Sequence, residues 1–267
     1  MSLNQPQTTD LNLTLGSFLE VLIHEILYLR SLYPRDAFGT TRHNGISCHA
    51  CRHPQVVEYI FNVLKVAVPS LISGVADELA LILYEDLGNA GGGEVVLERY
   101  IISCAVQLQE FMGRTSIDND AFRGKIQRLE QSLRNVLLKF LSLDGTNLGR
   151  KRGHKTFSGN TTFKLCLHTA NEKMDVEQEG MSKSTTDMEP KSLCPELSTA
   201  MEEGKWFLSD PEFCQIKSKE QTSNPDRYTE ISRSNTGMTR PLKSVHIPGF
   251  EMQILMEFLG DGQQEMP

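Results

Sequence analysis

The sequence predicts an α+β fold, with helices on one side of a mainly antiparallel sheet. Three observations predict it. Apolar residues recur at helical spacing in three separate segments, and short β-like runs come in pairs around turn residues. A chain of 267 residues, 39% of them hydrophobic, is also long and apolar enough for one sizeable core. The order is helix, helix, hairpin, helix, strand, long polar segment, two strands, without an internal repeat.

Residues 1–14 read as a flexible N-terminus. From Phe18 to Leu32 apolar side chains crowd most sides of a helix, which places it centrally, and Pro34 is expected to stop it. Asp36 to Arg52 is polar and reads as a loop. His53-Pro54 has the form of a helix start, because proline costs nothing where an N–H would be unpaired. Val56, Val57, Ile60, Val63, Leu64, Ala67 and Val68 then keep helical spacing, with an end expected near Pro69. Glu78–Tyr84 and Glu94–Ile102 read as strands, joined by the glycine-rich Leu87–Gly93 as a hairpin connection. Asp118-Asn119-Asp120 supply caps for a one-faced helix carrying Phe122, Ile126, Leu129, Leu133, Val136 and Phe140. Phe163–Thr169 is a further strand. Residues 170–205 and 209–238 are polar insertions too poor in large apolar groups to offset their ordering entropy, interrupted by the apolar Trp206-Phe207-Leu208. Pro241–Ile247 and Phe250–Phe258 close the fold as strands.

Charge narrows the function. With 27 basic against 34 acidic residues the formal net charge is −7, which disfavours a protein whose main task is gripping phosphate backbone. DNA is expected to enter only indirectly, through a partner. No uninterrupted apolar run reaches the roughly 18 to 20 residues of a membrane span, so no membrane partner is expected. The start MSLNQPQTTD has neither the basic nor the apolar part of a secretory signal. Six scattered cysteines then read as reduced thiols, and Asn160-Thr161-Thr162 as an unused glycosylation pattern.

No catalytic constellation emerges. His43, Cys48, His49, Cys51 and His53 offer zinc-type ligands, but the usual distant second ligand pair is missing, and a loop rich in Cys and His is the simpler account. Gly88–Glu94 lacks the Lys-Ser or Lys-Thr of a phosphate loop, and there is no G-x-S-x-G elbow. Asp118 and Asp120 suit capping better than acid–base work, and His24 and His168, lying in apolar runs, read as satisfied interior or interface groups. Arg150, Lys151, Arg152, His154 and Lys155 form a compact basic run, read first as solvated loop charge and otherwise as a nuclear-import signal or a weak DNA contact. Trp206, the one tryptophan, is either a core anchor or a groove wall.

Five segments in order resemble the HORMA-domain family: FLEVLIHEILYLRSLYP (Phe18–Pro34), HPQVVEYI (His53–Ile60), FKLCLHT (Phe163–Thr169), Lys205-Trp206-Phe207-Leu208 and Arg240-Pro241-Leu242-Lys243. The likeness runs from about Leu15 to Phe258, and the first two blocks look most like the branch that serves as accessory, non-catalytic subunit of DNA polymerase zeta. It implies a HORMA domain over 15–258, a mainly antiparallel sheet on three helices, with a C-terminal safety belt at about 206–258 and a tail at 259–267. It also implies an adaptor rather than an enzyme, without cofactor or metal. The belt would entrap a short proline-containing peptide of the polymerase zeta catalytic subunit, and another face would hold a scaffold Y-family translesion polymerase, in damage tolerance in the nucleus and also the cytoplasm. A HORMA-remodelling AAA+ ATPase and a homo- or heterodimer with another HORMA protein complete the implied partners. Residue by residue, Tyr59 and Trp206 match the peptide pocket, and Gln253 matches the second-partner face. On that face Leu255 replaces the usual tyrosine and Thr239 the usual leucine. Arg134 matches a dimerisation arginine, while Ser31 stands where its acidic partner is usual. The alternatives are a spindle-checkpoint or meiotic HORMA adaptor that binds other peptides, and a zinc-binding protein built on Cys48, Cys51 and His53.

Overall fold

The computed structural model describes residues 5–87, 94–112, 119–142, 160–169 and 238–258. Helix α1 spans Gln5–Leu29, α2 Pro54–Ser73, α3 Leu108–Met112 and α4 Asn119–Ser142. Strands β1 (Phe38–His43) and β2 (Ile46–Cys51) form a two-stranded sheet. Strands β3 (Ala76–Asp86), β4 (Glu94–Val106), β5 (Thr161–Thr169), β6 (Met238–Ile247) and β7 (Phe250–Phe258) form a second sheet in the order β5-β3-β4-β7-β6, antiparallel throughout.

The first helix begins earlier than its sequence suggests. Leu11 and Leu15 continue the buried stripe of Phe18, Leu22 and Ile26 toward the N-terminus, so residues expected to be flexible are helical from Gln5. Its end also differs. Before Pro34 is reached, Ser31 adopts φ 52°, and the Leu32 N–H reaches back to the Leu27 carbonyl at 3.1 Å. That is a Schellman ending with a serine in the position glycine favours. In α2, proline does occupy the first turn after His53, but the helix passes through Pro69 to Ser73. The lost bond would have gone to the carbonyl of exposed Lys65, where water can replace it. Gly74, at φ 75°, makes the stop.

The expected loop at Asp36–Arg52 is instead the β1–β2 hairpin. Asn44 and Gly45 take φ 45° and 77°, the paired positive values that a tight hairpin turn needs. The hairpin is fastened to α1 by polar groups. Glu25, fully buried, accepts the His49 N–H at 2.5 Å and faces the His49 ring nitrogen at 3.2 Å. His24 Nδ1 accepts the Cys51 N–H at 3.4 Å, and the His49 ring stacks on Tyr28 with centroids 3.5 Å apart.

Helices α1, α2 and α4 cover one face of the large sheet. Leu79, Leu81, Leu83, Tyr100, Ile102, Met252, Ile254 and Met256 point into that core. A buried ion pair joins Arg30, just past α1, to Glu98 of β4, and the Tyr100 hydroxyl donates to the same carboxylate at 3.1 Å. By length and composition Thr8–Leu29 and Pro54–Ser73 would pass as membrane spans, yet more than half of each is buried inside the fold, as in core helices. The short α3, unforeseen in sequence, holds the β6–β7 turn. The Gln107 N–H donates to the Gly249 carbonyl at 2.9 Å, and Gly249, at φ 81°, has no room for a Cβ, which would lie 2.4 Å from the Phe111 nitrogen.

Candidate peptide-binding edge

Among the described strands β5 is an edge of the large sheet, and α2 passes beside it. Tyr59 of α2 accepts the Leu165 N–H on its hydroxyl oxygen at 3.0 Å. Its ring meets Phe163 edge-on at 5.6 Å, and Tyr33 meets Phe163 from another side at 6.4 Å. Burial pushes both the Tyr59 and Tyr33 hydroxyls above their ordinary range, so both remain neutral hydrogen-bonding groups near neutral pH. Three aromatic rings from distant sequence positions therefore stand against one half of an edge strand. Main-chain donors on an edge, with apolar pockets alongside, are what strand addition by an extended peptide requires.

The opposite face of the sheet is ordered in rows across all five strands. One row is His168, Glu78, Ser103, Gln253 and Ser244; the next is Cys166, Ala80, Ile101, Leu255 and Pro241; the third is Lys164, Ile82, Arg99, Glu257 and Thr239. The central row is apolar, and its neighbours are polar or charged except for the buried Ile82. Ser103 donates to Glu78 at 2.9 Å, and burial raises the Glu78 pKa. Arg99 lies 4.0 Å from Glu257, to which the Thr239 hydroxyl donates at 3.3 Å. No described helix packs on this face.

The structure thus brings Gln253, Leu255 and Thr239 together on one side of the β6–β7 hairpin, three to four strands away from β5, beside which Tyr59 of α2 stands. Arg134, on α4, donates to the Asn44 carbonyl at the tip of the small hairpin, at 3.1 Å. Trp206 lies outside the described residues, as do Arg150–Lys155, the insertion 170–205, nearly all of 209–238 and the tail 259–267. Asp118 is also outside them, while Asp120 sits in the first turn of α4, favourably for the helix dipole. His24 is interior, but His168 is about half exposed, 2.9 Å from Asp77. Among the described residues no three His, Cys, Asp or Glu side chains group as metal ligands. Cys48 points into the core, where burial raises its thiol pKa to about 11, and His49 is committed to Glu25. Tyr33 and Phe163 escaped sequence reasoning, since nothing in their spacing announces that they meet.

Residues 13–139 match the model of the HORMA domain family. The structure superposes on a chain of a mitotic checkpoint complex crystal structure with a TM-score of 0.54, covering 92% of this chain and 97% of that one at 14% identity. The fold is that of a HORMA domain. Among curated relatives, the DNA polymerase zeta processivity subunit of Arabidopsis thaliana is 28% identical over 110 residues, 39% of this chain and 48% of that protein. Its Schizosaccharomyces pombe namesake is 41% identical over 66 residues, 25% of this chain and 31% of that protein. The Danio rerio mitotic spindle assembly checkpoint protein MAD2B is 32% identical over 69 residues, 26% of this chain and 33% of that protein. The chain spans about half the length of the first of these relatives and about a third of the other two.

Proposed function

We propose that this HORMA domain is a non-enzymatic adaptor of polymerase zeta. It holds a short proline-containing peptide of the catalytic subunit along β5, under a belt formed by about residues 206–258 with Trp206 and Tyr59 at the peptide. Gln253, Leu255 and Thr239 on the rowed face meet a scaffold Y-family translesion polymerase, and the assembly works in the nucleus, with DNA touched by its partners. The observation that carries this reading is the Tyr59–Phe163–Tyr33 group against an edge strand. Relatives named as polymerase zeta subunits support the choice of client.

The test is a titration with the proline-containing peptide of the matching catalytic subunit, followed by Trp206 fluorescence and by anisotropy of a labelled peptide. Saturable binding is expected, lost with a scrambled peptide and weakened by Trp206→Ala. A checkpoint peptide that binds more tightly than the polymerase peptide would reassign the client while leaving the adaptor role. No binding of either would sink the adaptor reading.

A further inference from the structure

The formal charge of −7 conceals an uneven distribution among the helices. Helix α1 carries three acidic residues and no basic one, and α2 carries one of each. Helix α4 carries five basic residues against two acidic. Its buried stripe, Phe122, Leu129, Leu133, Val136, Leu137 and Phe140, faces the core. At about 100° per residue, the opposite side is a polar spine of Gln127, Gln131 and Asn135, all exposed. Gly124 lies on that side too, and a Cβ built there would meet nothing within 4 Å, so the space over the helix is open. Cations border the spine, Arg123 and Arg134 along one margin and Arg128 and Lys139 along the other. Each pair is eleven residues apart, about three turns and roughly 16 Å of helix. No described carboxylate pairs with Arg123, Arg128 or Lys139. Of the two acids, Asp120 stands in the first turn and Glu130 acts on His43 of the small hairpin. Arg134 is steadied by the Asn44 carbonyl at 3.1 Å.

We propose that this face of α4 lies along duplex DNA, with its two cationic margins against the phosphates of the two strands. The contact goes beyond the peptide-adaptor reading and does not rest on it, since α4 packs toward β6, at the end of the sheet away from β5. A helix with its side chains is about 10–12 Å across, close to the roughly 12 Å width of the DNA major groove. The deep, narrow groove of an RNA duplex does not admit one. Composition separates this occupant from the others. Protein interfaces are enriched in aromatic side chains and depleted of lysine, whereas the one large apolar group exposed on α4 is Leu138. Single-stranded bases stack on aromatic rings, and α4 exposes none. Charge and side-chain amides are what the face offers, and duplex contacts are made of both. Because the rest of the chain is acidic, the contact is weak and salt-sensitive, an addition to the grip that the partners supply.

Anisotropy of a labelled DNA duplex of about 20 base pairs, titrated with the full chain at low salt, tests this. Saturable binding is expected, with log K falling against log salt at a slope of about −3.6, the value for four phosphate contacts. Arg128→Gln/Lys139→Gln should weaken binding about tenfold or more and bring the slope to about −1.8. Arg240→Gln/Lys243→Gln removes the same charge from exposed positions on β6 and should leave both readings nearly unchanged. Urea denaturation of each variant should match wild type, since all four side chains are exposed. Arg123→Gln gives a second reading from the other margin and should also weaken binding. The proposal fails if the duplex does not bind, if a single strand of equal length binds more tightly, or if the two double variants weaken binding equally, the mark of net charge alone. It fails as well if a polyglutamate peptide of equal charge binds as tightly as the duplex, which would assign the face to acidic proteins. A free chain that is a dimer in light scattering, and that Arg128→Gln/Lys139→Gln turns to monomer, would assign it to a second copy. Peptide binding at β5 should be the same in all these variants, which keeps the two readings separate.

Discussion

The two edges of the large sheet are built from opposite materials. The outer strand β6 carries exposed Arg240, Pro241 and Lys243, with a register irregularity between Pro241 and Lys243. Proline offers no N–H, charges repel a neighbouring strand, and irregular pairing twists an edge away from partners. The other outer strand, β5, has no proline, keeps a regular register from Glu78 to Glu85, and answers its neighbour α2 with aromatic rings. One edge is blunted against strand addition and the other is furnished for it. A protein that must add one strand without adding many has reason to differ in this way at its two ends.

The largest effect is expected where both edges share support. Glu98→Ala leaves Arg30 buried without its carboxylate, and loss of one partner of a buried pair costs about 3–5 kcal/mol. Urea denaturation should show that loss, and peptide binding at β5 should fall with the folded fraction. A narrower break follows from Tyr59→Ala, which removes a ring from the β5 side alone. Peptide affinity should fall at least tenfold, about 1.4 kcal/mol, with urea stability changed by less than Glu98→Ala changes it. Equal affinity in that variant would show that β5 is not the furnished edge.

Acid should act on neither edge first. His24 is buried, and burial lowers its pKa, while the lowered pKa of His43 at the small hairpin is opposed by Glu130. The folded chain then binds fewer protons than the unfolded one. Stability is complete above the ordinary histidine value near 6.5 and declines as pH falls below it toward the folded values. Melting temperature should drop between pH 7 and pH 5. His24→Asn, which keeps an acceptor for the Cys51 N–H without titrating, should flatten that slope; an unchanged slope would assign the effect elsewhere. The smallest expected effect belongs to Pro241→Thr. It should leave folding within about 0.5 kcal/mol, as surface changes generally do, yet raise self-association in light scattering by restoring a donor to the blunted edge.

Much of the fold was legible in the sequence because it follows from apolar spacing: the start of α2, the stripe of α4 and the strands β3, β4, β5, β6 and β7. The β1–β2 hairpin was not, because FGTTRH and ISCHAC lack clean alternation, and Glu25 and His24 of α1 fasten the hairpin alongside its few buried groups, Phe38, Ile46, Cys48 and Cys51. Asn44-Gly45 was the available signal. The first turns of α1 were hidden for a similar reason, since two leucines among polar residues matter only once α1 is packed. At the site, Tyr59 was reached through resemblance alone. Tyr33 and Phe163 join it by long-range packing, which local pattern does not encode.

Gly249 carries one further consequence. Because its turn fits against α3 only without a side chain, the β6–β7 hairpin has a zero mark, much like the origin of a ruler. Sliding the hairpin by two residues would bring Ile247 or Glu251 to the notch, and neither fits. Every graduation counted from that origin is then set: Gln253 falls opposite Ser103, Leu255 opposite Ile101, Glu257 opposite Arg99. The lettering of the rowed face is thus legible in one frame only, and a missing side chain at its margin keeps that frame.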